Sequence, residues 1–197
     1  MNWVKNIFSR NKSKDLIEVK FLDKSELRDL PPIPEYIIAE CETLKKNLDS
    51  LNENPFDKLD RVYGFLNTYG EFAKTFSVCG NGCSSCCKSD VLITTLEAKY
   101  IEKKVDVKTK KYTGATANHS SNCPFLSNES CSIYEYRPFN CRTLYTLDDP
   151  KYCETGENHQ LYGLQGGKGI PLLYQFKKYV GVLNQKRPVA DIRDFFS

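Results

Sequence analysis

The sequence predicts an α-rich, irregular α+β fold in which a cysteine-rich lobe packs against N-terminal and C-terminal helices. Apolar residues recur at helical spacing before residue 78 and again after residue 170. Between these segments, eight of the nine cysteines fall from Cys79 to Cys153. The 197 residues, 40% of them hydrophobic and 27% charged, have the size and composition of one folded domain. The net charge of +3 gives no strong signal for nucleic-acid binding.

Residues 1–34 are predicted to form a polar N-terminal arm, and residues 35–197 a single domain. The arm ends in the run Pro31-Pro32-Ile33-Pro34. Its start could form a short amphipathic helix that contacts a protein partner or a membrane surface, or could instead pack on the body of the protein or fray. The residues of that helix are Trp3, Val4, Ile7 and Phe8, with Lys5 and Arg10 nearby.

Two helices are predicted for residues 35–77. The first carries an apolar stripe at spacings of three and four residues, formed by Ile37, Cys41, Leu44, Leu48 and Leu51. Because a buried free thiol behaves as a small hydrophobe, we expect Cys41 to be a core residue and not a ligand. The second helix begins after Asn54-Pro55, and its stripe is typical of core packing. That stripe consists of Leu59, Val62, Tyr63, Leu66, Tyr69, Phe72 and Phe76.

The predicted cysteine-rich lobe spans residues 78–153 and contains a short strand followed by a helix. The run Val91-Leu92-Ile93-Thr94 indicates the strand. Thr94 and Glu97 then make a capping box, which opens a helix through Leu96, Tyr100 and Ile101. Residues 105–118 are polar and are predicted to form an exposed loop.

A C-terminal helical segment is predicted for residues 154–197. Glycines at 163, 166, 167 and 169 mark turns, but they lack the spacing of a phosphate-binding loop, so we predict no nucleotide site there. Pro171 fits the first position of a final helix, and Phe195 and Phe196 are expected to pack back onto the body. The apolar residues of that helix are Leu172, Leu173, Phe176, Val180 and Leu183.

The cysteine content favours metal binding over disulfides. The N-terminal sequence lacks the apolar run of a signal peptide, and no stretch of about 18 apolar residues could span a membrane. We therefore expect a cytoplasmic protein whose thiols stay reduced. The adjacent residues Cys86 and Cys87 could form a disulfide only with strain. Thiols clustered this densely in a reducing compartment are typical of a metal site.

Two cysteine clusters supply eight candidate metal ligands. The first holds Cys79, Cys83, Cys86 and Cys87, and the second holds Cys123, Cys131, Cys141 and Cys153. The C-x2-C spacing of Cys83 and Cys86 lets two thiolates reach one metal. Eight sulfurs would complete two tetrahedral zinc sites, or would hold an iron–sulfur cluster and a second metal. Of the possible nitrogen ligands, His119 and His159 are both expected to be solvent-exposed loop residues instead.

Three motifs within these clusters carry a resemblance to a known family. They are the cysteine tetrad from Cys79 to Cys87, the CPFL that begins at Cys123, and the run CSIYEYRPFNCR from Cys131 to Arg142. Over roughly residues 79–153 the chain resembles the bacterial cysteine-cluster proteins of the CxxCxxCC, or YkgJ-like, family, which are described as zinc- or iron-chelating domains. The resemblance implies that the eight cysteines are metal ligands and that Arg137 and Arg142 belong to the core motif.

The function expected is that of a metal-binding protein, in which zinc or an iron–sulfur cluster is structural or is cargo. The alternative is a cluster-dependent enzyme of protein or peptide modification, because the flagellin lysine-N-methylases, a distantly similar branch, transfer methyl groups from S-adenosylmethionine to lysines. Arg137 and Arg142 are expected to donate hydrogen bonds to sulfurs or carboxylates around the metal. Arg137 could instead tie down its loop through backbone carbonyls. Phe125 and Tyr134 are expected to cover the site.

Overall fold

The computed structural model describes residues 21–26, 29–50, 52–80, 82–164 and 170–197 of the chain. The amphipathic helix predicted from Trp3 to Arg10 lies outside the described residues. So do Leu51 of the first predicted stripe and the glycines at 166, 167 and 169.

The fold is the predicted irregular α+β arrangement, in which helices dominate and the strands are only two or three residues long. The helices are α1 (Glu35–Ser50), α2 (Pro55–Lys74), α3 (Thr95–Lys104), α4 (Phe139–Arg142), α5 (Lys151–Thr155), α6 (Ile170–Leu183) and α7 (Ile192–Phe195). The strands are β1 (Leu92–Thr94), β2 (Leu126–Ser127), β3 (Ser130–Cys131), β4 (Leu144–Thr146), β5 (Leu161–Gly163) and β6 (Val189–Asp191). They form three antiparallel pairs: β1 with β6, β2 with β3, and β4 with β5. A helix with the length and apolar surface needed to span a bilayer is not found among the described residues.

Both helices predicted for residues 35–77 are confirmed. Asn54 caps α2, because its side-chain oxygen accepts a hydrogen bond from the Phe56 N–H at 2.9 Å, and Pro55 lies in the first turn. The predicted stripes are largely buried, and Phe76 is buried just beyond the end of α2. The buried members are Ile37, Cys41 and Leu48 of α1 and Leu59, Val62, Tyr63, Leu66, Tyr69 and Phe72 of α2.

A larger core cluster joins α1, α2 and α6 to the β4–β5 hairpin. Its centre is aromatic: the rings of Phe65 and Phe176 lie 4.9 Å apart, and the Tyr69 hydroxyl donates a 2.7 Å hydrogen bond to the Tyr162 hydroxyl. The hairpin requires glycine at position 163, because its φ is +92° and a Cβ there would lie 2.0 Å from the Thr143 carbonyl oxygen. Helix α6 begins one residue before Pro171, which confirms the predicted C-terminal helix.

A smaller core cluster surrounds β1, β6 and α3. The predicted capping box is confirmed: the Thr94 hydroxyl accepts the Glu97 N–H at 3.1 Å, and the Glu97 carboxylate accepts the Thr94 N–H at 2.8 Å. The two C-terminal phenylalanines pack onto this cluster as predicted, each 3% exposed. The ring of Phe196 meets that of Phe125 edge to face, with centroids 4.9 Å apart.

The structure differs from the prediction in its strands and in one loop. Only β1 was expected, yet β6 pairs with it, β2 pairs with β3, and the β4–β5 hairpin lies in the larger cluster. Three-residue strands leave too few positions for an alternating pattern to be recognised. The loop at 105–118 is not wholly exposed, because Val105, Val107 and Tyr112 pack against the smaller cluster.

Glu97 connects three parts of the fold. Its carboxylate is buried, with 1% of the residue exposed, and it accepts hydrogen bonds from elements on either side of α3. One oxygen accepts the Tyr63 hydroxyl of α2 at 3.0 Å and the Phe139 N–H of α4 at 2.7 Å. The other accepts the N–H and hydroxyl of Thr94 at 2.8 and 2.9 Å. Glu97 therefore positions α4, which carries Cys141, relative to α2 and α3.

We expect Glu97→Ala to lower the free energy of unfolding by about 3–4 kcal/mol, because four buried donors, two backbone N–H groups and two hydroxyls, lose their acceptor. Urea unfolding of the full chain, followed by circular dichroism, measures the change. The control is Glu71→Ala, which removes an exposed ion pair with Lys74 and should cost no more than about 0.5 kcal/mol. Equal midpoints for the two variants would contradict the role given to Glu97.

Candidate metal centre

All nine cysteines are described, and none forms a disulfide. Cys41 lies in the larger core cluster, where the Gln175 side-chain amide donates to its sulfur at 2.7 Å, as expected for a core thiol. The two predicted clusters, far apart in sequence, line one cavity of about 80 Å³. Seven cysteines lie on its wall: Cys79, Cys83, Cys86, Cys87, Cys123, Cys131 and Cys141. The eighth, Cys153, lies on an adjoining groove of about 600 Å³, whose wall it shares with Cys86 and Cys141.

A tight turn positions the cysteines of the first cluster. The Cys83 N–H donates to the Gly80 carbonyl at 3.1 Å, and a 3₁₀ turn over Ser85–Lys88 follows. In a 3₁₀ turn, with three residues per turn, neighbouring side chains point about 120° apart. Cys86 and Cys87 therefore face different directions: Cys86 also lines the groove, whereas Cys87 packs against the smaller core cluster.

The second cluster is held by backbone hydrogen bonds and by the β2–β3 hairpin. The Cys123 N–H donates to the Cys87 carbonyl at 2.7 Å, which fixes the two stretches to each other. The hairpin turns at Asn128 and Glu129, both with positive φ, and pairs Leu126 with Cys131. Cys141 is carried by α4, which Glu97 positions as described above.

The interactions among the thiols indicate two groups of four cysteines, with Cys86 between them because it also shares a hydrogen bond with Cys87. The Cys123 group consists of Cys87, Cys123, Cys131 and Cys141, and the Cys83 group consists of Cys79, Cys83, Cys86 and Cys153. In the first of these, Cys87 and Cys123 share a hydrogen bond that, with burial, raises the pKa of Cys123. Burial also raises the pKa of Cys141, and the charges of Cys123, Cys87 and Cys131 raise it further.

The Cys83 group contains one thiol that ionises readily. The Cys79 thiol donates a hydrogen bond to the Cys83 sulfur, and this lowers the pKa of Cys83 to about 6 while the pKa of Cys79 is raised. The Thr146 N–H also donates to the Cys79 sulfur at 3.1 Å. Burial, followed by the charge of Cys83, raises the pKa of Cys153 to about 11. These effects indicate that Cys153 lies near Cys83.

The two arginines of the motif have different surroundings. Arg137 lines the cavity, stacks on the Tyr134 ring at 3.8 Å, and has a buried Nε without a hydrogen-bond partner among the described residues. The nitrogens of Arg142 each donate to oxygen instead: Nε to the Arg137 carbonyl at 2.7 Å, Nη1 to Asn67 at 2.6 Å, and Nη2 to the Glu135 carbonyl. Arg142 therefore fixes the loop around Arg137 through backbone carbonyls. The sequence analysis had given this role, as an alternative, to Arg137.

Arg193 is a positioning residue that the sequence analysis missed. It is 5% exposed and donates to the carbonyls of Cys87 at 3.1 Å, Ser89 at 3.2 Å and Ser121 at 2.7 Å. Its fourth partner is the Asp191 carboxylate at 2.9 Å. One guanidinium thus fastens both cysteine-bearing stretches to the C-terminal end of the chain. Nothing in the sequence near residue 193 signals this role, because its partners are backbone carbonyls from distant loops.

The expectation that both histidines are solvent-exposed is wrong. The His159 side chain is 5% exposed, and its Nε2 lies 3.6 Å from the Cys153 sulfur. The His119 side chain is 14% exposed and lies among carboxylates, 3.0 Å from Asp90 and 3.7 Å from Asp191. The hydrogen bonds and packing of distant residues bury both rings, and the polar sequence around them gives no sign of it.

Asp90, His119 and Asp191 bring three potential ligand atoms within 4.8 Å of one another. Their oxygens are already engaged, because the Asp191 carboxylate accepts hydrogen bonds from Val91 N–H and from Arg193, and Asp90 accepts from the His119 N–H at 3.1 Å. The Arg193 guanidinium also supplies a positive charge there. We therefore interpret this cluster as an ion-pair network of the fold.

The chemistry of the cavity fits zinc or iron. Its donors are thiols, which both metals accept as ligands. Its volume of about 80 Å³ exceeds the 10–15 Å³ or so that a single water-sized occupant needs. The unpartnered Arg137 Nε on the wall is placed to donate to a negatively charged sulfur. Phe125 and Tyr134 also line the cavity.

Fold and site together define a cysteine-rich metal-binding protein with a helical scaffold. The CxxCxxCC family, described as a putative zinc- or iron-chelating domain, has a family model that matches residues 78–160. Residues 78–160 are therefore similar to that family over the stretch that carries the three motifs. Searches of curated proteins and of solved structures find no match to the chain.

We expect Arg193→Lys to weaken the metal centre. A lysine ammonium cannot reach all four oxygens that accept hydrogen bonds from the guanidinium. Buried carbonyls therefore lose their donors, which lowers the free energy of unfolding by about 2–3 kcal/mol. The measurement is the rate at which the metal-loaded chain transfers metal to a chromophoric chelator, together with its urea midpoint.

Arg61→Lys is the matched control for Arg193→Lys, since Arg61 forms an exposed ion pair with Glu53. Its transfer rate should equal that of the wild type. If Arg193→Lys also releases metal at the wild-type rate, Arg193 does not position the cysteines.

Proposed function

We propose that the chain is a metal-holding protein in which all eight cysteines of the two groups are ligands and the metal is structural or cargo. One observation carries the proposal: two stretches some 40 residues apart along the chain bring seven cysteines to the wall of one small cavity. Because bound thiolates must be reduced, we place the protein in a reducing compartment such as the cytoplasm.

The spacing of the sulfurs favours an occupant larger than one ion. A single tetrahedral zinc ion with bonds of about 2.3 Å would hold its sulfurs about 3.8 Å apart. Among the described residues, no three cysteine sulfurs lie mutually within 4.8 Å. An iron–sulfur cluster bridges a wider ring of cysteines, since each of its irons binds its own thiolate. We therefore propose a cluster in the Cys123 group, with a second metal in the Cys83 group.

The metal would add a connection between the two core clusters, which already share helix α3. The Cys123 group lies against the smaller core cluster, and Cys79 packs against the larger one. A centre that both groups share would hold these clusters together, which supports residues 35–197 as a single domain. Arg137 would donate to a cluster sulfur and adjust the potential of the cluster.

Anaerobic purification of the full chain tests the identity of the metal. We expect iron, acid-labile sulfide and visible absorption from sulfide-to-iron charge transfer. Colourless protein with two zinc ions per chain would replace the cluster with two zinc sites and keep the metal-holding role. Protein that retains neither metal, and takes up neither on reconstitution, would overturn the proposal.

Cysteine substitutions test the division into two groups. We expect Cys123→Ser to lose the metal of the Cys123 group and to fold poorly, because the remaining thiols of that group cannot complete the ligand set. Cys83→Ser should instead lose the metal of the Cys83 group. Metal analysis of each variant by plasma mass spectrometry reports which unit remains, and Cys86→Ser and Cys141→Ser extend the same test.

Cys41→Ser is the control, because Cys41 is the ninth cysteine and lies in the helical core, where Gln175 can donate to a serine hydroxyl as it does to the thiol. It should keep the full metal content. An empty centre in Cys41→Ser, or a full one in Cys123→Ser, would contradict the ligand assignment.

The groove of about 600 Å³ beside Cys86, Cys141 and Cys153 favours a second candidate function. A groove of this size could admit a small-molecule substrate to the metal, as the alternative of a cluster-dependent modification enzyme requires. Calorimetry with S-adenosylmethionine and the metal-loaded chain tests it. Saturable binding that Ala117→Trp, on the groove wall, abolishes would support the enzyme, whereas the absence of binding would leave the metal-holding role.

A further inference from the structure

We propose that His159 is a ninth metal ligand, which binds through Nε2 together with Cys153 and makes the Cys83 group a mixed sulfur–nitrogen site. This inference rests on the proposed function, because it assigns a residue to a metal position proposed above. Neither the cysteine motif nor the family description includes a histidine.

The distance between the two side chains is the first argument. The His159 Nε2 and the Cys153 sulfur are 3.6 Å apart. A tetrahedral zinc ion with a sulfur bond of about 2.3 Å and a nitrogen bond of about 2.05 Å would place those two atoms about 3.6 Å apart. The pair therefore has the separation of two ligands of one ion. The other sulfurs of the Cys83 group, all of them described, would move closer on binding, because none of them lies within 4.8 Å of both atoms.

The orientation of the imidazole is the second argument. His159 Nδ1 lies 2.8 Å from the Asp148 carboxylate, whose side chain is fully buried. That carboxylate is held in turn by the Thr146 hydroxyl at 2.8 Å and the Gln160 N–H at 2.8 Å. With the Nδ1 proton donated to Asp148, the lone pair of Nε2 faces Cys153. Metal-binding histidines are commonly oriented by a carboxylate on the other ring nitrogen in this way.

The β4–β5 hairpin supplies the third argument, because it brings these residues to the Cys83 group. The hairpin closes a segment that includes Asp148, Cys153 and His159, and the Leu147 N–H donates to the Gln160 carbonyl at 2.9 Å at its base. Thr146 belongs to both networks: its hydroxyl donates to Asp148, and its N–H donates to the Cys79 sulfur at 3.1 Å. The Asp148–His159 pair is thus built on the same strand residue that positions Cys79.

A nitrogen ligand changes the role of Cys86. With His159 in the set, Cys79, Cys83, Cys153 and His159 supply four ligands, and Cys86 becomes a fifth donor. Cys86 lies between the groups, since it shares a hydrogen bond with Cys87 and lines both the cavity and the open groove. It is therefore placed to bridge the two metal positions.

Cobalt(II) titration of the metal-free full chain tests the proposal, because the ligand-field bands of cobalt shift when a thiolate is replaced by an imidazole. We expect His159→Gln to alter the bands of the Cys83 group and to weaken zinc binding there by 100-fold or so, and Asp148→Asn to weaken it by about 10–100-fold. His159→Cys should restore binding with all-thiolate bands. His119→Gln, which changes the other histidine, should leave the bands and the affinity as in the wild type.

The outcomes separate this inference from the proposed function. A wild-type chain that binds no metal overturns both proposals. A wild-type chain that binds metal while His159→Gln has unchanged bands and affinity overturns the histidine ligand alone. Alkylation by iodoacetamide gives a second test. If Cys153 of the metal-loaded wild type is alkylated, and His159→Gln slows that reaction without changing the metal content, the histidine ligand is also overturned. The imidazole would then act on the thiol and not on the metal.

Discussion

Bringing thiols from two distant stretches into one small cavity is the constraint on which the rest of this structure depends. Without a cation the thiols oppose one another: burial and the neighbouring sulfurs raise the pKa of Cys131 and Cys141, so ionising them together is unfavourable. A metal ion reverses this, because it neutralises the thiolates and releases their protons. The same packing that is unfavourable for free thiols is therefore what a thiolate-bound metal requires.

The scaffold holds this arrangement with polar side chains that bond to backbone, in place of extended sheets. Arg193 fastens the carbonyls of Cys87 and Ser121, Arg142 fastens those of Glu135 and Arg137, and Glu97 accepts the N–H of Phe139. Each of these groups is buried and charged, and each is matched by several partners, which is the condition under which buried charge is tolerated. Short strands are sufficient to hold the fold because these side chains form hydrogen bonds with the backbone groups of the loops between the strands.

The parts of the fold and of the site that could be predicted are those that local sequence patterns set. The stripes of α1 and α2 and the capping box at Thr94 are set by residues near one another in sequence, and each is found where the pattern placed it. The two cysteine clusters are also visible in the sequence, and seven of their eight members line one cavity. Strand β6, the role of Arg193 and the burial of His159 depend on partners many positions away. No periodicity reports such contacts, so they emerged only from the fold.

The metal centre matters unequally to the two core clusters. The larger cluster has its own aromatic centre on α2 and α6, and of the eight clustered cysteines only Cys79 packs against it. The smaller cluster includes Cys123 among its buried members and has Cys87 and Cys131 packed against it. Its apolar residues come from short elements that bury little surface of their own. A metal bound by those three cysteines would hold together the part of the chain whose hydrophobic core is least able to do so alone, and the helical part would keep its packing without it.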